Sequence, residues 1–178
     1  VNVHAHLLWA LAEQAGADTG DAWDLSYKAV RAAMGNRGNI GYSFRAKGTS
    51  QAMARTGLMI TAFDLKGSTL DDRYEMMRFV SEHHKLCLNC HSTVSMAMIF
   101  GLIGTKTTGE EAYRRAMDYY RGLFALVHPY DPELDKYLGL RVVGNYVAAL
   151  MLASGKDDTL WICGNRKRNW YKEICEGK

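Results

Sequence analysis

The sequence predicts an all-α domain built from helix hairpins, and three observations carry that prediction. Four apolar segments of similar length recur along the chain, and each stops at a glycine. After each stop, carboxylates open a further segment, and the first three of these follow-on segments are amphipathic with helical spacing. The chain also holds only 2 prolines against 9 methionines at 48% hydrophobic content, a composition that suits helices. Apolar-all-round helices alternate with one-faced ones, so the former are expected inside and the latter outside.

Taken in order, HAHLLWALAEQAG (His4 to Gly16) is the first expected inner helix, with Gly16 as its C-cap, because glycine reaches positive φ without steric cost. DAWDLSYKAVRAAM follows as an outer helix, opening on Asp21, with Trp23, Tyr27, Val30 and Met34 on one side. GNRGNIGYSFRAKGTSQ (Gly35 to Gln51) is a long glycine-bearing connection in which Ile40, Tyr42 and Phe44 alternate like a short strand or hairpin arm. ARTGLMITAFDLKG (Ala54 to Gly67) is the second inner helix. DDRYEMMRFVSEHH, opening on Asp71 and Asp72, is the second outer one, with Tyr74, Met77, Val80 and His84 on its apolar side. CHSTVSMAMIFGLIG (Cys90 to Gly104) is the third inner helix, with Gly104 as its expected stop. EEAYRRAMDYYRGLFALV is the third outer helix, carrying Ala112, Ala116, Tyr120, Leu123 and Val127 on its apolar side. Next come a turn with a short helix, HPYDPELDKYLGLR (His128 to Arg141), and a fourth inner helix, GNYVAALMLASG (Gly144 to Gly155), after which Asp157 and Asp158 follow. A loop and a last helix from Asn169 complete a total of about seven or eight helices.

At 178 residues the chain is long enough for one domain with a sizeable core, so residues 1–178 are read as a single helical repeat domain. The opening VNVHAHLLWALAEQ enters directly into a helical unit without a signal peptide, which leads us to expect a fragment of a longer chain. A net charge of +3 is too weak alone to imply nucleic acid or a membrane surface. No apolar run approaches the ~18 to 20 residues of a membrane span. Arg166, Lys167 and Arg168 beside Trp170 and Tyr171 mix basic and aromatic residues, but three charges in one loop read as a solvated turn, so no nucleic-acid partner is expected.

Chemistry concentrates at Cys87-Leu-Asn-Cys90-His91, preceded by His83 and His84. The C-x-x-C-H spacing fits covalent attachment of haem c, with thioethers at Cys87 and Cys90 and His91 on the iron. It supports a c-type monohaem electron carrier as one reading, with His83, His84, His128 or a methionine as the sixth ligand. A zinc knuckle through Cys87 and Cys90 is a second reading. The third is a polar helix opening with no cofactor, because His91 occupies the position that His6, Arg55 and Asn145 hold in the other inner helices. Cys163 and Cys175 are a disulfide candidate pinning the tail; the even cysteine count leans the chain towards a periplasmic or secreted setting and equally suits reduced thiols.

If the inner helices run parallel, their openings converge on one mouth. The candidate rim is then His6, Arg55, Thr56, His91, Ser92, Asn145 and Tyr146, joined by His4 and Gln51, with Tyr42, Arg45 and Lys47 of the long connection alongside. Helix N-termini present free N–H groups and positive dipole ends, so an acidic or hydroxyl-rich small molecule, such as a carboxylate or glycan, is the expected ligand. The competing reading is that these groups cap one another within a scaffold whose partners are the remainder of the parent chain or another subunit.

Inner helices that open on ARTG and CHST after a GYSF-bearing connection resemble the α/α-toroid repeats of terpenoid cyclases and protein prenyltransferases. More narrowly, GYSFRAKGTSQAMARTGL followed by CHSTVSMAMIFGL resembles an uncharacterised bacterial family of cyclase-like toroid domains. The resemblance implies part of a toroid, since a full one needs more helix pairs than this chain offers. The acidic cluster of the cyclases has no counterpart, because Asp71-Asp72 opens an outer helix, and the Asp-x-Cys of the zinc-holding prenyltransferases does not occur.

Overall fold

A computed structural model describes residues 3–48, 50–68, 71–89 and 94–127. Six helices follow one another in these residues: α1 (Val3–Gln14), α2 (Ala22–Ala33), α3 (Met53–Lys66), α4 (Asp71–Glu82), α5 (Val94–Thr108) and α6 (Glu110–Val127). Single 3₁₀ turns precede α3 (Ser50–Ala52) and follow α4 (His84–Leu88), so His84 belongs to that turn rather than to the amphipathic helix before it. The short helix after His128, the fourth inner helix and the tail lie outside the described residues.

Helix α3 is the centre. Eleven of its fourteen residues are buried, from Met53 to Leu65, which is what a sequence apolar on every side requires. It ends at Gly67 in the left-handed conformation, φ 68°, whose amide returns to Asp64 O and Phe63 O. The inner helices run parallel, because their paired residues climb in step. A Cβ placed on Gly101 of α5 would lie 3.4 Å from the end of Met53, and one on Gly104 would lie 2.5 Å from the Gly57 Cα, one turn further along α3. On the other side, the Gln14 amide at the top of α1 donates to Leu65 O at 2.9 Å, while His4 at its foot stacks edge-on against Phe100, 5.7 Å between centroids.

Gly104 does not stop α5, which continues to Thr108. Its absent side chain serves close approach instead: the backbones of α3 and α5 touch at Gly57 and Gly104, and a Cβ on Gly57 would meet Phe100 O at 2.1 Å. Nor is α1 buried all round. Val3, His6 and Ala10 face the core, but Leu8, Leu11 and Ala15 lie exposed along one stripe, with Leu8 64% and Leu11 44% exposed. Apolar composition alone does not say what covers a helix, and the described residues put a neighbour on one side of α1 only.

The outer helices bury one face each. Trp23, Tyr27 and Val30 of α2 are buried, and Trp23 and Tyr27 lie edge-on to the Phe63 ring of α3. On α4 the buried face is Arg73, Met76, Met77, Phe79 and Val80, and Tyr74 is only half-covered. On α6 it is Ala112, Tyr113, Ala116, Met117 and Tyr120. Unbranched methionines from α3, α4, α5 and α6 fill much of the space between layers.

Candidate functional site

Because α1, α3 and α5 are parallel, one end of the array is where all three start, and the long connection between α2 and α3 lies at that end. It forms no strand. Two isolated bridges, Met34 to Ile40 and Ser43 to Ala46, are its ladder contacts, and Ile40 points inward while Tyr42 and Phe44 both point out. The connection is nevertheless pinned from several sides. The Ile40 amide donates to the buried Thr56 hydroxyl at 3.0 Å, and Ile40 O accepts from Arg55 Nε at 3.1 Å. The first turn of α3 therefore grips both backbone polar groups of one loop residue. Gly38, at φ 77°, presses on α4, where an added Cβ would sit 2.3 Å from the Glu75 backbone. Asn39 is buried between Gly35 and Gly48, and Gly35 N donates to Asn39 O at 2.9 Å.

Arg55 and Thr56 are thus brought to the expected end, and their polar groups hold the loop. Arg55 also donates to Gln51 O at 2.8 Å and lies over the Tyr42 ring, 5.6 Å to its centroid. What the loop exposes is different: Arg37, Tyr42, Phe44, Arg45 and Lys47. Among the described residues no ion pair engages Arg37, Arg45 or Lys47. Glu75, beneath the loop, is paired with Arg78.

His6 is not on this rim. It is fully buried, one turn into α1, with edge-to-face contacts to Trp9, Trp23 and Tyr27 at 4.8 to 6.4 Å between centroids. An imidazole there completes an aromatic box in the core. His91, Ser92, Asn145 and Tyr146 lie outside the described residues, as do Cys90 and the disulfide candidates Cys163 and Cys175.

Cys87 is described and buried. Its sulfur packs so tightly on α5 that a Cβ at Gly101 would come within 2.8 Å of it, and it neighbours the Tyr120 hydroxyl. That hydroxyl donates to His84 O at 2.6 Å; burial, then the nearby Cys87, push its pKa well above the ordinary phenol range. His84 is buried too, its Nδ1 donating to Ser81 O at 3.0 Å, and burial lowers its pKa, helped by Arg115, Lys85 and His83. Among the described residues no three His, Cys, Asp or Glu side chains are grouped to hold a metal ion, and no helix is long and apolar enough to cross a membrane.

Arg37 and Phe44 are rim residues that motif reading passes over. A sequence signal does exist for them. From Leu25 to Phe63 the chain has no carboxylate, while Lys28, Arg31, Arg37, Arg45, Lys47 and Arg55 fall inside that run. Comparison with protein-family models, curated proteins and solved structures finds no match.

Proposed function

We propose that this is a ligand-binding helical domain, part of an α/α-toroid-like array, that takes an anionic ligand at the end where its inner helices start. The observation that carries this reading is the exposed, ion-pair-free set of Arg37, Arg45 and Lys47 on a loop that Arg55 and Thr56 hold in place. Three cations on one pinned loop repel each other, a cost that a carboxylate, sulfate or phosphate would relieve. The parallel run of α1, α3 and α5 supports it, since their positive dipole ends face the same way. The roles divide accordingly: Arg37, Arg45 and Lys47 meet the ligand, while Arg55 and Thr56 position them. Heparin provides a test, as a soluble polyanion. Wild-type protein should elute from immobilised heparin at higher salt than Arg45→Glu/Lys47→Glu. The charge-matched control Arg114→Glu/Arg121→Glu, on the exposed face of α6, should elute near wild type. Equal shifts in the two double variants would mean that net charge alone governs retention, and the proposal would fall.

A second reading has its own observation. The Leu8–Leu11–Ala15 stripe of α1 is exposed, with no neighbour among the described residues, of the kind that the remainder of a parent chain or another subunit would cover. Leu8→Glu should then lower the oligomer mass measured by light scattering, or weaken a longer parent chain against urea. A wild-type monomer whose stability in the longer chain ignores Leu8→Glu would remove this reading. The haem reading needs Cys87, Cys90 and His91 and the zinc reading Cys87 and Cys90; of these only Cys87 is among the described residues, and it is buried.

A further inference from the structure

Phe44 and Arg45 are the two central residues of a tight turn. It is closed by the Ala46 amide, which donates to Ser43 O at 3.0 Å and lies 3.3 Å from the Ser43 hydroxyl. Phe44 is 65% exposed and Tyr42 60%, whereas Ser43 and Ala46 on the same stretch are half-buried. The apex is therefore a bare phenyl ring with Arg45 beside it and Lys47 two residues on. The backbone that carries it is tied to α3 and α4, as described above, so docking this apex costs little chain entropy.

The cations alone would serve any anion, but Phe44 has nothing to offer a small soluble one. A phenyl ring gains by leaving water, and Arg and Lys gain by keeping their heads at phosphate level while their stems follow the ring inward. Single-stranded nucleic acid would ask for open ring faces along a groove. Here the Arg55 guanidinium already lies over Tyr42, and Phe44 stands alone at the apex of its turn. We propose that this turn docks the protein on the surface of an anionic lipid bilayer, with Phe44 entering the headgroup layer, Tyr42 at its edge, and Arg37, Arg45 and Lys47 meeting lipid phosphates. The inference rests on the anion-binding reading above and names the form in which the anion is presented.

The test is co-sedimentation of the full chain with sucrose-loaded vesicles, of phosphatidylcholine alone or mixed with phosphatidylglycerol, run beside the heparin column. Wild-type protein should sediment with the mixed vesicles and stay in solution with phosphatidylcholine. Phe44→Ser, an exposed change that leaves the fold intact by circular dichroism, should partition about tenfold more weakly while keeping its heparin retention. Arg45→Glu/Lys47→Glu should lose about thirtyfold in vesicle partitioning, together with heparin retention. Wild-type protein that binds heparin or poly(U) RNA but not mixed vesicles would overturn the lipid inference and leave the anion reading standing. Phe44→Ser partitioning like wild type, or equal binding to both vesicle types, would also overturn it. Failure on heparin as well would remove both.

Discussion

Around the end of the array where α1 and α3 stop, several charges are paired side chain to side chain. Glu13 meets Lys66 at 2.6 Å, Asp64 meets Arg73 at 2.6 Å, and Asp72 accepts from the Tyr27 hydroxyl at 2.7 Å while Arg31 approaches it at 3.2 Å. On the loop between α2 and α3, Arg37, Arg45 and Lys47 stand exposed with no such partner among the described residues. Both ends belong to the same helical plan, so the plan alone does not require the difference. Carboxylates at the first turns of outer helices answer the helix dipole and tie neighbouring helices together. Cations on the loop do neither. The comparison separates charges that hold the fold from charges left available to something outside it.

The largest effect that would test this separation is at Arg73. Its side chain is 2% exposed, and besides Asp64 it donates to Ser68 O at 2.7 Å, so one guanidinium fastens the α3–α4 turn. Arg73→Met leaves Asp64 uncompensated in a largely buried site and should cost about 3 kcal/mol, read from urea unfolding. Arg73→Met/Asp64→Leu should recover most of that loss, because both desolvated charges are then gone. A single variant that unfolds at the wild-type urea midpoint would show that the matched end does not hold the fold through its ion pairs.

A smaller effect follows from pH, and it should track the buried and paired groups only. His84 has its pKa lowered by burial, so the unfolded chain takes up a proton first as pH falls below 6.5, and stability declines from there down through the lowered folded value. Glu13 has its pKa lowered by the Lys66 and Thr19 hydrogen bonds. Its contribution is therefore present above 4.5 and is lost as pH falls through its lowered folded value. Urea midpoints should fall in two stages on acidification, the upper stage flattened by His84→Gln and the lower by Glu13→Gln. At neutral pH Glu13→Gln itself should cost about 0.5 kcal/mol, as expected of a partly exposed pair. A flat profile between neutrality and pH 5 would sink the assignment to His84.

How much of this was legible beforehand depends on whether the physical cause is local. Gly16 and Gly67 were readable as helix stops because a left-handed cap is decided within one turn. Gly104 looks the same in sequence and does something else, because its role depends on Gly57, far away in the chain and adjacent in space. Arg55 and Thr56 were readable as a polar helix opening, but their partner is the backbone of Ile40, which no spacing rule reveals. His6 shares that opening motif and ends in an aromatic box, because the side chain's turn about the helix, not its position from the start, decides which way it faces. α1 was readable as apolar and not as half-covered, since coverage belongs to whatever packs beside it. The exposed loop cations were partly legible from composition, in the carboxylate-free run from Leu25 to Phe63.

The smallest expected effect is the most discriminating. If the loop cations are not part of the fold's own electrostatics, Arg45→Glu/Lys47→Glu should change unfolding free energy by no more than about 0.5 kcal/mol, the usual range for exposed positions away from caps and cores. Some stabilisation is the more natural direction, because replacing two of several like charges on one pinned loop relieves repulsion in the folded state. The same variant should lose retention on heparin, so binding would move at this end without stability. A loss of about 2 kcal/mol would instead mean that Arg45 and Lys47 hold the loop, as Arg55 does, and the open end would join the matched end as structure.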